Sequence, residues 1–148
     1  MSQSYWVLGH LVTPQETIGD YGFLAITTPA HTQGPPPHHH EDTAEFFYII
    51  SGSLEVFANG ERTLLQAGDS ANAPIGAVHT FANNSDEDCH WITAFSPRGF
   101  EKFFLEFGVP AEEPNARERS LDGALIGRVI ERAAEFHMII DPAVLNQG

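Results

Sequence analysis

The sequence predicts an all-β domain, an antiparallel sandwich or barrel, with a helical C-terminal tail. Three observations predict it. Strand-like runs recur every 8 to 12 residues from residue 5 to residue 96. The 13 Gly and 10 Pro are spread between those runs as turn residues. After residue 97 the apolar period lengthens from that of a strand to that of a helix. At 148 residues the chain has the size of one ordinary domain, long enough to bury roughly 68–70% of its unfolded surface without disulfides.

In order along the chain, "YWVLGHLVT" alternates, with Trp6, Leu8, His10 and Val12 expected on one face, and "YGFLAITTPA" continues as a second run. After a proline loop, "EFFYII" stops at "SGS" and "LEVFA" follows, ending at Asn59-Gly60, a strong hairpin signal. The segment "ERTLLQAGDSANAPIGAVHTFANNS" gives short strands broken at Gly68-Asp69 and Pro74-Ile75-Gly76, and "CHWITAFS" closes the series. Phe100, Phe103, Phe104 and Phe107 then fall at i, i+3, i+4 and i+7 between Pro97 and Gly108, the pattern of an amphipathic helix packed on the sheet. "VPAEEPNARERS" reads as a polar connector. A second helix is expected from about Leu121 to Phe136 along the stripe Leu121, Leu125, Val129, Ala133 and Phe136. Residues 1–108 would thus be a barrel with its following helix, and 109–148 a connector and helix packed on the same domain.

Composition narrows the function. Seven basic against 20 acidic residues leave a net charge of −13 and no Lys/Arg cluster to follow a phosphate backbone, so no nucleic-acid partner is expected. No apolar stretch approaches a membrane span, and the start lacks a basic region followed by an apolar one, so no membrane partner and a cytoplasmic location are expected. The single cysteine, Cys89, fits a reducing compartment and reads as a small buried hydrophobe.

The chemistry-bearing stretch is "GPPPHHHEDTAEFFYIISG". On an extended chain His38 and His40 leave the same face, with Cα atoms roughly 6.6 Å apart, so both imidazoles can converge on one ion. His39 points the other way, as a solvated side chain or one that supports the ligands. Glu45 follows His40 by five positions; an odd offset requires a bend around Asp42 to Ala44 if this carboxylate is to join the site. His79 alone could be a core histidine, but it follows a tight Pro-x-Gly turn in a barrel that already holds two others.

These two segments resemble the two signature motifs of the cupin superfamily. The pattern H-x-H-x(3,4)-E-x6-G is met by His38, His40, Glu45 and Gly52, and G-x5-P-x-G-x2-H-x3-N by Gly68, Pro74, Gly76, His79 and Asn83. One departure is visible: the family pattern has a glycine six residues before the first histidine, and Gly34 lies four before His38. "VLGHLVTPQETIGDYGFLAIT", "PPPHHHEDTAEFFYIISGSLEV" and "SPRGFEKFFLEFG" resemble the single-domain, quercetin dioxygenase-like cupins across most of residues 5–108. The resemblance implies a jelly-roll barrel of two antiparallel sheets, a homodimer, and one divalent transition metal per chain held by His38, His40, Glu45 and His79.

Imidazoles with a carboxylate suit Ni, Mn, Co, Fe, Cu or Zn and leave coordination positions open. Glu45 is also the candidate general base. Phe47 and Ile49 share its parity and Phe81 that of His79, so these three either line the substrate pocket or fill the barrel. The resemblance implies a quercetinase-type dioxygenase that takes a flavonol or related enolic substrate and O2. In it Glu45 accepts the enolic proton, and dioxygen adds across the ring before it opens. The alternatives are a metal-dependent cyclase or isomerase of a polyketide-like enol, using the same base without oxygen, and a small-molecule-binding cupin without turnover. Fold alone does not separate them.

Overall fold

The computed structural model describes residues 2–145, so Met1 and positions 146–148 of the two expected segments lie outside the described residues. Eleven strands fill the predicted strand-rich region. They are β1 (Tyr5–Val7), β2 (His10–Gln15), β3 (Gly22–Thr28), β4 (Thr32–Gln33), β5 (His38–His40), β6 (Ala44–Ser51), β7 (Ser53–Ala58), β8 (Glu61–Gln66), β9 (Ser70–Ala73), β10 (His79–Asn83) and β11 (Cys89–Ser96). The C-terminal part holds α1 (Glu101–Phe107), β12 (Val109–Pro110), α2 (Ala116–Ser120) and α3 (Gly123–Arg132). After them come a 3-10 turn (Ala133–Phe136), β13 (Met138–Ile140) and α4 (Pro142–Leu145).

Two antiparallel sheets result, as expected for a jelly roll. One runs β12-β1-β2-β3-β11-β6-β9; the other runs β13-β5-β10-β7-β8, with β4 paired to β10. Alternation decides which side chains fill the space between them. Along β6, Glu45, Phe47 and Ile49 are buried while Phe46, Tyr48 and Ile50 face out; along β11, Cys89, Trp91, Thr93 and Phe95 are buried. Cys89 is a core residue whose thiol burial pushes up to about 11, far from a reactive thiolate. Asn59-Gly60 makes the β7–β8 hairpin with both residues at positive φ, and Ala58 faces Glu61.

Three sequence expectations are corrected. "YWVLGHLVT" is not one strand: Leu8 and Gly9 both take positive φ and fold it into a two-residue hairpin in which Val7 faces His10 and Tyr5 faces Val12. The turn reverses parity, so Val7, His10 and Val12 are buried together and Trp6 lies on the other face. The supposed polar connector contains β12, whose Val109 and Pro110 pair with Trp6 and Tyr5, and α2. The C-terminal tail is also not purely helical: β13 pairs with β5, setting Met138 opposite His40 and Ile140 opposite His38. The expected second helix is α3 capped by the Asp122 carboxylate, which accepts from the Ala124 N–H at 2.8 Å. Leu125, Val129 and Ala133 of its stripe are buried, while Leu121 precedes it and is exposed. Among the described residues no helix is long and apolar enough to cross a membrane.

Helix α1 lays its phenylalanines over one end of the barrel, with Phe103 and Phe107 buried and in edge contact with Phe136 of the C-terminal part. That end is thereby closed by stacked and tilted rings rather than by strands.

Candidate metal centre

Each proposed ligand is delivered by a different local device. Strand β5 alternates, so His38 and His40 point inward, 5% and 2% exposed, while His39 faces the other way, half-buried beside Ile139. His79 enters from β10, directly opposite His38 in register. The turn before it is held by Gly76, at φ 82°, whose N–H donates to the His40 carbonyl at 3.0 Å. A residue with a side chain at this left-handed position would be strained, which accounts for glycine there. The bend demanded by the offset of Glu45 lies at Glu41–Thr43, where the Thr43 hydroxyl donates to the Pro97 carbonyl at 2.8 Å. There the chain crosses from one sheet to the other, so Glu45 reaches the histidines from the opposite side.

Gly34, four residues before His38, is required where it stands. A Cβ there would collide with the Phe81 carbonyl oxygen, so the loop into β5 can press against β10 only as glycine. Asn83, the last motif residue, is a structural anchor. Its amide donates to the Thr28 and Glu87 carbonyls at 3.0 and 2.8 Å and fastens the β10–β11 connection.

One ring-nitrogen ligand atom from each of His38, His40 and His79 lies within 4.8 Å of the others. Glu45 Oε1 stands 3.2 Å from Nε2 of both His40 and His79. Ligands about 2.1 Å from a common ion lie about 3.0 Å apart in octahedral and about 3.4 Å apart in tetrahedral geometry, and 3.2 Å falls between. His38 and His79 donate from Nδ1 to the Pro36 and Ala77 carbonyls at 2.9 and 3.0 Å, which fixes both rings and leaves Nε2 for the centre. His40 Nδ1 is buried without a hydrogen-bond partner among the described residues. Glu45 Oε2 accepts from the Thr93 hydroxyl at 3.0 Å. Three buried imidazoles and one carboxylate are a donor set that fits a divalent transition metal.

The electrostatics agree with that fit. Burial and the neighbouring His79 and His40 lower His38 to about 3, so it is a neutral ring at ordinary pH, ready to ligate. Burial alone would raise Glu45, but hydrogen bonds from His40 and His79 outweigh it and hold the carboxylate ionised, well below its usual range. Burial opposes a charge on His79, yet the hydrogen bond and charge of Glu45 prevail and raise it. Glu45 thus favours the protonated His79 ring, and a bound metal would compete with that proton.

Beside this cluster lies a chamber of about 50 Å³ bordered by His38, Glu45, His79, Phe81, Thr93, Phe100, Phe103 and Phe104. Of the three expected pocket residues, Phe81 borders it. Phe47 and Ile49 have the inward parity of Glu45 but do not: Phe47 stacks on Trp91 at 5.4 Å, and both fill the core behind the chamber. Three residues that the sequence reading did not assign to the site belong to it. Thr93 orients Glu45, Met138 closes the β5 side, and His10 borders the chamber. His10 Nε2 donates to the Gln33 carbonyl at 3.0 Å, and its Nδ1 takes the hydroxyl of Thr28, which accepts from Trp91 Nε1.

Comparison with known proteins places this arrangement. Residues 25–95, which span both histidine segments, match the Cupin_2 family of cupin domains. The chain is similar to the polyketide synthase CurC of Streptomyces cyaneus, with 31% identity over 87 residues, 59% of this chain and 56% of that protein. The chain therefore spans little more than half the length of that relative. Among solved structures, KdgF from Halomonas sp. shares 26% identity at a TM-score of 0.58, covering 64% of this chain and 84% of the other. An RmlC-like cupin from Shewanella frigidimarina shares the fold at a TM-score of 0.61 and 21% identity, covering 70% and 89%. Its two-sheet barrel and its domain match make this chain a member of the cupin superfamily.

Proposed function

We propose that the protein is a metal-dependent enzyme that takes the proton of an enolic hydroxyl on Glu45. The observation that carries this is the convergence of Glu45 Oε1 with His40 and His79 Nε2 at 3.2 Å, while Oε2 bonds Thr93. A divalent ion held by His38, His40, His79 and Glu45 would supply a Lewis acid that stabilises the substrate oxyanion. The chain's own residues do the rest. Glu45 is held ionised, and Oε2, the oxygen not shared with His40 and His79, would be the accepting atom, with the Thr93 hydroxyl turning from donor to acceptor as the carboxyl fills. Phe81, Trp91, Phe95 and Phe100 exclude water from the deprotonated substrate.

Two fates of that anion correspond to two activities. In the first reading it reacts with O2, the quercetinase-type cleavage of a flavonol or related enol. In the second it closes a ring or isomerises without oxygen, and the similarity to a protein named polyketide synthase CurC favours this one. An oxygen electrode separates them. Oxygen uptake with flavonols supports the first; product formation from a polyketide-like enol without uptake supports the second. A metal-loaded protein inert to both classes would instead be a binding cupin. A homodimer is proposed as well, through the outer face of β6, where Phe46, Tyr48 and Ile50 form an exposed apolar row.

A further inference from the structure

The chamber beside the histidines is small for the chemistry proposed, since sites for drug-sized ligands run to about 300–1,000 Å³ and this one is about 50 Å³. An enol of flavonol or polyketide size would place its reacting group there and leave most of its body outside. The α1 end offers no way out, because Phe100 packs on Phe95, Phe103 and Phe104 with ring centroids 5.1, 5.0 and 5.5 Å apart. Three surface depressions share walls with the chamber. One carries the Glu55–Arg62 ion pair, and another is lined by Asp42, Lys102, Glu135 and His137. The third, a groove of about 330 Å³ between the Gln33–Pro36 loop and helices α2 and α3, is apolar.

Resting on the function proposed above, we propose that this groove holds the outer part of the substrate, and that this part is an apolar arm ending in an anion. Only Leu8 and Pro35 line both the groove and the chamber, so two side chains make the partition between them. Leu8 sits at φ 50°, a conformation that bulky residues rarely adopt, in a turn held from outside by the Gly9 N–H donating to Ser120 Oγ at 3.0 Å. The left-handed position thus carries a partition side chain where glycine or asparagine would fold more easily. Across the groove Leu121 and Ile130 remain 47% and 39% exposed on a face already narrowed by Pro35 and Pro36. Arg117 supplies the charge. It lies at the groove's rim over the Trp6 ring at 5.7 Å and is the Lys or Arg that lines the groove; like Arg98, Lys102 and Arg128, and unlike Arg62, Arg119 and Arg132, it makes no ion pair among the described residues. In a chain of net charge −13 a cation left free beside an apolar groove is complementary to a carboxylate or similar anion.

The proposal is tested with octanoate and octylammonium, probes of equal chain length and opposite charge, titrated calorimetrically into metal-loaded and chelator-treated protein. Octanoate should bind once per chain in both forms, and octylammonium at least about tenfold more weakly. Arg117→Met should cost octanoate about tenfold, and Ile130→Glu should abolish its binding. Saturating octanoate should slow extraction of the metal by phenanthroline, and Leu8→Gly should speed it. Equal affinity for the two probes, octanoate binding unchanged by Arg117→Met, or extraction rates indifferent to octanoate would each overturn the proposal. So would a wild-type chain that binds no octanoate but forms a dimer that Ile130→Glu dissociates, which would make the groove a contact between copies. Titration of chelator-treated protein needs neither metal nor turnover, so failure of the groove and failure of the enzymatic reading are separate results.

Discussion

Buried histidines of two opposite characters border the same chamber. His10 has both ring nitrogens satisfied, one by the Thr28 hydroxyl and one by the Gln33 carbonyl. His38 and His79 have Nδ1 tied to a backbone carbonyl, which leaves Nε2 for the cluster, where that of His79 meets Glu45 Oε1 at 3.2 Å. Burial is the same for all; what differs is where the second nitrogen points. A satisfied histidine completes the barrel, whereas rings with one anchored and one convergent nitrogen form a site that gains from an ion.

The strongest way to break this comparison is to remove a convergent ring. His79→Ala or His38→Ala should lose the bound ion through gel filtration, measured by elemental analysis, while His10→Gln keeps the wild-type stoichiometry. Retention in His79→Ala would remove the assignment. The onset of acid release sharpens it. His38, lowered to about 3, does not compete with protons in mild acid, but His79 is raised. Affinity should therefore begin to fall already above about pH 6.5, the ordinary histidine value.

Next in size is Glu45→Gln. The three histidines should retain an ion, with kcat lowered by about 10² to 10⁴, the worth of a positioned general base. A metal-loaded variant that turns over substrate at the wild-type rate would sink the proton-transfer reading and leave the fold untouched.

The satisfied member makes a smaller, pH-dependent contribution. His10 is lowered to about 4, chiefly by burial. Between about pH 6.5 and 4 the unfolded chain takes up a proton there that the folded chain refuses, so stability falls as pH falls through that window. From pH 7 to pH 4.5 this amounts to about 2 kcal/mol. In urea unfolding of chelator-treated protein, the loss of stability between these pH values should shrink by that much in His10→Gln. An unchanged loss would show that His10 is not the group responsible. Smallest of all is His39→Ala: facing away from the cluster, it should keep the metal and change stability by less than about 0.5 kcal/mol.

The sequence was most legible where chemistry depends on neighbours along the chain. The spacing of His38 and His40, the bend before Glu45, the Asn59-Gly60 hairpin and the strand Cys89–Ser96 all follow from local alternation and turn chemistry. The Leu8-Gly9 turn is not legible because leucine is a poor left-handed residue, so the apolar run reads as continuous. Thr93 and the poor fit of Phe47 and Ile49 to the pocket depend on how β11 aligns with β6, with Phe95 opposite Glu45 and Thr93 opposite Phe47. Parity says which residues point inward; it does not say how far along the barrel axis the chamber extends. Strands of two or three residues, such as β12 and β13, are too short to show a period at all.

Strand β13 has a consequence for how the protein is made. β5, which carries two of the three histidines, meets β10 only at the His38–His79 register position, and its other edge is covered by Met138–Ile140. During synthesis from the N-terminus, His38, His40, Glu45 and His79 are all outside the ribosome long before that covering strand is. A nascent chain thus exposes four potential ligands, two of them on the half-paired strand β5, for the time needed to add about sixty residues, several seconds at about 5–20 residues per second. Whichever ion is most available in that interval would have first access, so a metal held by the folded site would reflect the cell's free-metal pool at translation as well as the preference of that site.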